Sequence, residues 1–208
     1  REDQKYVQKQ LEDYRKSLII YAYEKELIKQ RLDTSVSATE IQDFYDNKDQ
    51  NFELKTDIVK VRYLKVNKNA PQLKNIRKLY KSKKEGEIAE FKELAHQFGV
   101  KFHLNDEQWI LFDELQNEVP ISTSHRGDYL KNIKNIEVED SLSLYFVHIK
   151  DYKLKNDASP LSFEANNIKN IIINKRKLSL INQIRSELYQ EAFMNKDIEI
   201  YENKDDEK

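Results

Sequence analysis

Two long stretches without glycine or proline, residues 5–32 and 162–194, stand towards opposite ends of this chain. In the first, Val7, Leu11, Tyr14, Leu18, Tyr21, Ile28 and Leu32 recur in steps of three, four or seven. That spacing predicts a helix with one apolar stripe. In the second, Ile168, Ile171, Ile172, Leu178, Ile181, Ile184, Leu188 and Ala192 line one side in the same way. A lone helix cannot bury its own stripe, so the two helices are expected to cover one another. Whatever lies between them is then an insertion into one helical unit.

The joint at the front of the insertion reads TSVSATEIQDFYDNKDQNFEL, residues 34–54. Ser37 and Glu40 have the spacing of a capping box, in which hydroxyl and carboxylate each satisfy the other's backbone N–H. A short helix follows, with Ile41, Phe44 and Tyr45 on its buried side and Asp46, Asn47 and Asp49 ending it. Beyond it, IVKVRYLKV (58–66) alternates Val59, Val61 and Tyr63 with Lys60, Arg62 and Leu64, which predicts a strand.

Residues 71–97 predict two helices. Pro71 suits a first helical turn, Leu73, Ile76 and Tyr80 follow, and Gly86 separates the pair. Phe91, Leu94, Ala95 and Phe98 form the second stripe, with Gly99 at the C-terminal cap. A short strand is expected over 100–104 and a short helix or turn over 107–116, closed by Pro120. IEVED and the stretch from about 143 to 152 read as two final strands, and 197–202 as a short closing strand before a frayed tail. The fold class is therefore α+β. Its expected parts are 1–56, 57–156 and 157–208, the outer two making one helical unit.

Composition excludes several functions. The chain has 208 residues, a net charge of −1 and no cysteine. The charge balance argues against a nucleic-acid partner, which needs a basic surplus on one face. Without cysteine there is no disulfide, thiolate nucleophile or sulfur metal site. Gly86, Gly99 and Gly127 stand in no phosphate-binding or nucleophile-elbow motif. His96, His103, His125 and His148 are not at ligand spacing, so neither a metal nor a cofactor is expected. His148, in a strand, is expected to face solvent or a hydrogen-bond partner, and SHRGD (124–128) to mark a turn with Gly127 at its tight position. No stretch is long and apolar enough to span a membrane. The chain starts at Arg1 rather than Met, and a secretory signal or lipoprotein leader would lie ahead of it.

The layout, the joint (Val36–Tyr45, Asn51-Phe52, then Val59–Val66) and the closing piece 174–202 resemble the SurA/PrsA family of parvulin-type foldases. The resemblance implies a helical chaperone core formed by the N- and C-terminal parts, with a parvulin-like prolyl isomerase domain inserted. It also implies where the chemistry should be. The family's first-strand histidine matches Tyr63, beside Arg62 and Leu64. The last-strand histidine matches Phe146, beside Tyr145 and Val147. The glycine-rich acidic stretch matches KFHLNDEQWIL, where Trp109 keeps the tryptophan and both glycines are gone. Asp106, beside a turn, is not assigned the acid's role.

Prolyl isomerisation has a barrier of about 18–20 kcal/mol from amide resonance. With both histidines and the acidic turn replaced, no catalytic residue is expected. Tyr63, Leu64, Trp109, Phe112, Tyr145 and Phe146 are expected to remain as an apolar surface that holds peptide. The resemblance thus implies a periplasmic or envelope chaperone for unfolded or extended polypeptides, lipid-anchored if a leader carries that signal. An active isomerase with a divergent site and a dedicated envelope adaptor are the alternatives. Dimerisation through the long helices is left open.

Overall fold

The computed structural model of the protein describes residues 2–47 and 52–198. Among these, seven helices and one five-stranded antiparallel sheet make a mixed α+β fold. The chain divides into two compact units, one of residues 1–43 with 166–208 and the other of residues 44–165. The sequence-based boundaries at 56 and 157 fall within the second unit. The reason is local: the backbone of Phe52 and Leu54 bonds to Ser159, Asp157 and Asn156, and Glu53 bridges to Ala158. Phe52 also stacks on Tyr45 with ring centroids 5.3 Å apart. These contacts tie both ends of the insertion to each other.

The helical unit contains α1 (Glu2–Arg31), most of α2 (Ala38–Asp46) and the larger part of α7 (Leu161–Met194). The capping box at the start of α2 forms as expected. Glu40 N–H donates to Ser37 Oγ at 3.1 Å and Ser37 N–H to Glu40 Oε2 at 2.9 Å. These bonds hold the Glu40 carboxyl below its usual pKa. Arg176 of α7 clamps the same turn, donating to the Ser35 carbonyl at 2.7 Å, the Asp33 carbonyl at 3.2 Å and the Glu40 carboxylate. Arg185 pairs with Glu24 at 2.7 Å.

The expected mutual burial of the two long helices is corrected by the structure. Residues 3–23 of α1 are exposed throughout, including Val7, Leu11, Tyr14, Leu18 and Tyr21 of the expected stripe. Between Glu24 and Leu32, Glu24, Leu27, Ile28 and Leu32 are half-buried. On α7, Ile168 and Ile184 are buried, while Leu178 and Leu188 are exposed. The polar contacts between the two helices explain the limit, because they reach no nearer the start of α1 than Glu24.

In the other unit, β1 (Ile58–Asn67) is the central strand. It pairs on one edge with β2 (Gly99–His103) and β3 (Trp109–Leu111), and on the other with β5 (Ser143–Lys153). Strand β4 (Asn135–Glu139) pairs with the far edge of β5. Alternation along the strands sends their residues to two faces. On one face Val59, Val61, Tyr63, Tyr145, Val147 and Ile149 pack with Phe112 and Leu115 of α5 (Phe112–Glu118) and Leu130 of α6 (Arg126–Asn132). On the other, Leu64, Val66, Leu144 and Phe146 pack with α3 (Leu73–Leu79) and α4 (Glu85–Phe98), which supply Ile76, Leu79, Phe91 and Ala95.

Several local expectations change. The stretch 107–116 is the short strand β3 running into α5. Gly86 lies in the first turn of α4, and Gly127 lies in α6 with no positive φ, so SHRGD is a helix start rather than a tight glycine turn. Gly99 does follow α4, but its backbone is extended. Glycine is required there by close approach, since a Cβ would meet the Ala95 carbonyl and lie 2.9 Å from Leu64 and Phe102 side-chain carbons. The expected strand over 197–202 lies outside the described residues from 199 onward, and Asp197 and Ile198 are in no strand. The tail, Asp49 and Asn51 also lie outside the described residues.

The contrast in burial makes a test. Phe91→Ala should lower stability to denaturant by about 3–5 kcal/mol, as for a fully enclosed aromatic. Leu18→Ser, at a position 49% exposed, should stay within about 0.5 kcal/mol of the parent. An equally large loss from Leu18→Ser would mean that α1 is covered after all.

Candidate functional site

The six residues expected to form one peptide-holding surface do not come together. Tyr63, Phe112 and Tyr145 lie in the core on one face of the sheet, and Leu64 and Phe146 in the core on the opposite face. Trp109 packs with Leu54 and Ile58 in a third cluster beside Phe163. All six are buried. The register explains the separation. Tyr63 stands opposite Val147, and Phe146 opposite Leu64. A side-chain period of two therefore puts Tyr63 and Phe146 on opposite faces, where they cannot belong to one network.

Tyr63 does reach a small groove of about 320 Å³, lined also by His103, Ile110, Glu114, Asn117 and Glu118. Its ring stacks on His103 with centroids 6.1 Å apart, and burial pushes its hydroxyl pKa up, with the Glu118 carboxylate adding to that. Glu118 is itself held by Lys101 at 2.6 Å.

The most developed polar site is on the other face. There the side chains change from apolar to charged partway along the strands. Leu64 and Phe146 are covered by α3 and α4, while the next pair, Arg62 and His148, lines the floor of an open cleft of about 690 Å³. Between Lys60 and Val61 the register shifts, so that Lys60 faces Asp151 and Val61 faces Ile149. Lys150 is the extra residue of this bulge, a feature that re-aims a side chain. It joins the lining and pairs with Glu107.

Arg62 is only 2% exposed. Its Nη1 donates to Asp106 Oδ2 at 2.8 Å, and its Nη2 to the carbonyls of Tyr80 and Ser82. Burial lowers the guanidinium pKa, and Asp106 opposes that effect. A charge removed from water needs such partners to stay in a fold. His148 is 6% exposed and meets Asn135 Oδ1 through Nδ1 at 2.8 Å. Burial first, and then Arg62, push its pKa down to about 4. The imidazole is therefore neutral at pH 7, with Nδ1 as the donor to Asn135.

The strand patterns 60/62 and 148/150 carried this signal, as polar residues recurring at every second position of an otherwise apolar strand. Their meeting depended on a strand register that local pattern does not reveal. Among the described residues no cluster of three or more His, Asp or Glu is arranged to hold a metal ion, and no helix is long and apolar enough to cross a membrane.

The helical unit has a different kind of surface. Ile19, Ile20 and Tyr23 of α1 and Ile184 and Leu188 of α7 line an apolar groove of about 450 Å³, bordered by the Glu24–Arg185 pair. Further along, Tyr189, Phe193 and Met194 are exposed.

No protein-family model matches the chain, and no curated protein matches it. Among solved structures, it is similar to a chain from a study of Campylobacter jejuni, which describes the virulence factor PEB4 and the periplasmic protein Cj1289 as two structurally related SurA-like chaperones. That likeness covers 94% of this chain and 74% of the other at 16% identity, with a TM-score of 0.33. At that score it bears on neither the arrangement of the units nor the function.

The buried histidine sets a pH dependence. Its folded pKa of about 4 lies below the ordinary value near 6.5, so the unfolded chain takes up the proton first as pH falls. The stability held above about pH 6.5 should therefore decline towards pH 4, by roughly 3 kcal/mol from this group. Urea unfolding at stepped pH should show that slope, and His148→Gln should remove this share of it. An unchanged slope in the variant would assign the acid sensitivity to the carboxylates alone.

Proposed function

We propose that the chain is a chaperone that binds unfolded or extended polypeptide without covalent chemistry, and that it works in the periplasm or cell envelope. The observation that carries this reading is the exposed apolar and aromatic surface of the helical unit. Ile19, Ile20 and Tyr23 are each more than half exposed on one turn of helix, beside exposed Leu188. Scattered surface hydrophobics are ordinary, but a contiguous set lining a groove marks an interaction surface. Broad tyrosine and isoleucine faces suit clients that share apolar character rather than one sequence. The large charged fraction of the chain, 35%, supports the solubility of such a complex. The envelope location rests on the sequence resemblance to parvulin-type foldases.

On this reading the inserted sheet domain is a scaffold without isomerase activity. The position where the resemblance places a catalytic histidine holds Tyr63, 7% exposed and packed into the core. A protease-coupled assay on an Xaa-Pro peptide should show no acceleration.

The principal test is light scattering of an unfolded outer-membrane β-barrel protein diluted into buffer with this chain in excess. The parent should suppress aggregation. The triple variant Ile19→Ser, Ile20→Ser, Tyr23→Ser should lose most of that effect while its thermal unfolding stays near the parent's. Full suppression by the variant would remove the helical surface from the account.

A further inference from the structure

The charged cleft of the sheet domain is not used by the chaperone reading, and its electrostatics are lopsided. Arg62 lines it, nearly fully buried, with the Nε–H left without any acceptor. Buried donors are almost always satisfied, and an orphan on a charged group leaves that charge incompletely matched. Arg62 and Lys150 have the carboxylates of Asp106 and Glu107. Lys81, Lys83 and Lys134 line the same cleft with no carboxylate ion pair among the described residues. Lys81 lies over the Tyr80 ring at 5.2 Å and Lys134 over the Tyr152 ring at 4.8 Å, contacts that leave their charge unneutralised. Glu85 is the remaining acid of the lining, so five cations face three carboxylates. Burial first, and then Arg62, Lys83 and Lys134 against the opposing Asp106, disfavour a proton on His148 at the floor of the cleft.

We propose that this cleft binds an acidic stretch of polypeptide, whose side-chain carboxylates meet Lys81, Lys83 and Lys134. A run of carboxylates fits better than a single oxyanion for two reasons. The cations are spread, with Lys81 and Lys83 in the loop between α3 and α4 and Lys134 just ahead of β4. The cleft is also of a size that takes a ligand of several groups. Ile88 gives its wall apolar area for the stems of such side chains. The site lies wholly within the sheet domain and is independent of the helical surface assigned to unfolded clients.

The test is fluorescence anisotropy of a labelled hexaglutamate peptide titrated with the full chain at low salt, where exposed charge pairs are least screened. Saturable binding is expected. Lys83→Glu with Lys134→Glu, both exposed, should weaken it about tenfold or more, since reversal of two rim charges removes two attractions and adds two repulsions. Lys74→Glu with Lys92→Glu changes the net charge equally, lies outside the cleft, and should retain binding within about twofold. Circular dichroism checks that each variant is folded. In NMR titrations of the ring protons, bound peptide should raise the pKa of His148. No binding, equal weakening by the two variant pairs, or displacement of the peptide by an equal concentration of inorganic phosphate would overturn the proposal.

Discussion

Strand β1 is paired on both edges and largely covered on both faces, and this constraint arranges the whole sheet domain. It is bonded to β2 and β3 on one side and to β5 on the other. Seven of its ten residues are buried. Its buried side chains must therefore find their partners inside the protein. Val59, Val61 and Tyr63 meet this demand in one core, and Leu64 and Val66 in another. Arg62 cannot be satisfied by packing. It needs the Asp106 carboxylate and the carbonyls at the end of α3. That requirement draws the loops around 82 and 106 to the strand and shapes the cleft walls.

The two units present different chemistry to a partner. The sheet domain encloses its aromatic residues and offers a polar, basic cleft. The helical unit leaves long apolar runs of α1 exposed and is held by ion pairs and one capped turn. Exposed aliphatic surface of that extent is costly to keep soluble, which gives it meaning as an interaction surface. On the proposed function, such a face is where unfolded clients would bind.

Much of the architecture was legible in the residues. The capping box, the central strand, the glycine after α4 and the α+β division all follow from local chemistry, which acts over three or four positions. What was not legible depends on long-range pairing. The apolar stripe of α1 implied a covering helix, but periodicity identifies an apolar face without saying what covers it. Tyr63 and Phe146 could be matched to a family pattern, yet only the register shows that they look in opposite directions. Arg62 and His148 read as ordinary strand residues until that same register places them side by side, with Lys150 added by a bulge. The sequence around Asp106 reads only as a turn, and it is that turn which delivers the carboxylate to Arg62.

The most direct test of the account is hydrogen exchange read by mass spectrometry on the chain alone and with an unfolded outer-membrane β-barrel protein. The account predicts slowed exchange in peptides covering 11–24 and 180–194, with the β1 and β5 peptides unchanged. Protection confined to the sheet domain, or absent from α1, would contradict the claim that the exposed helical face is where polypeptide binds.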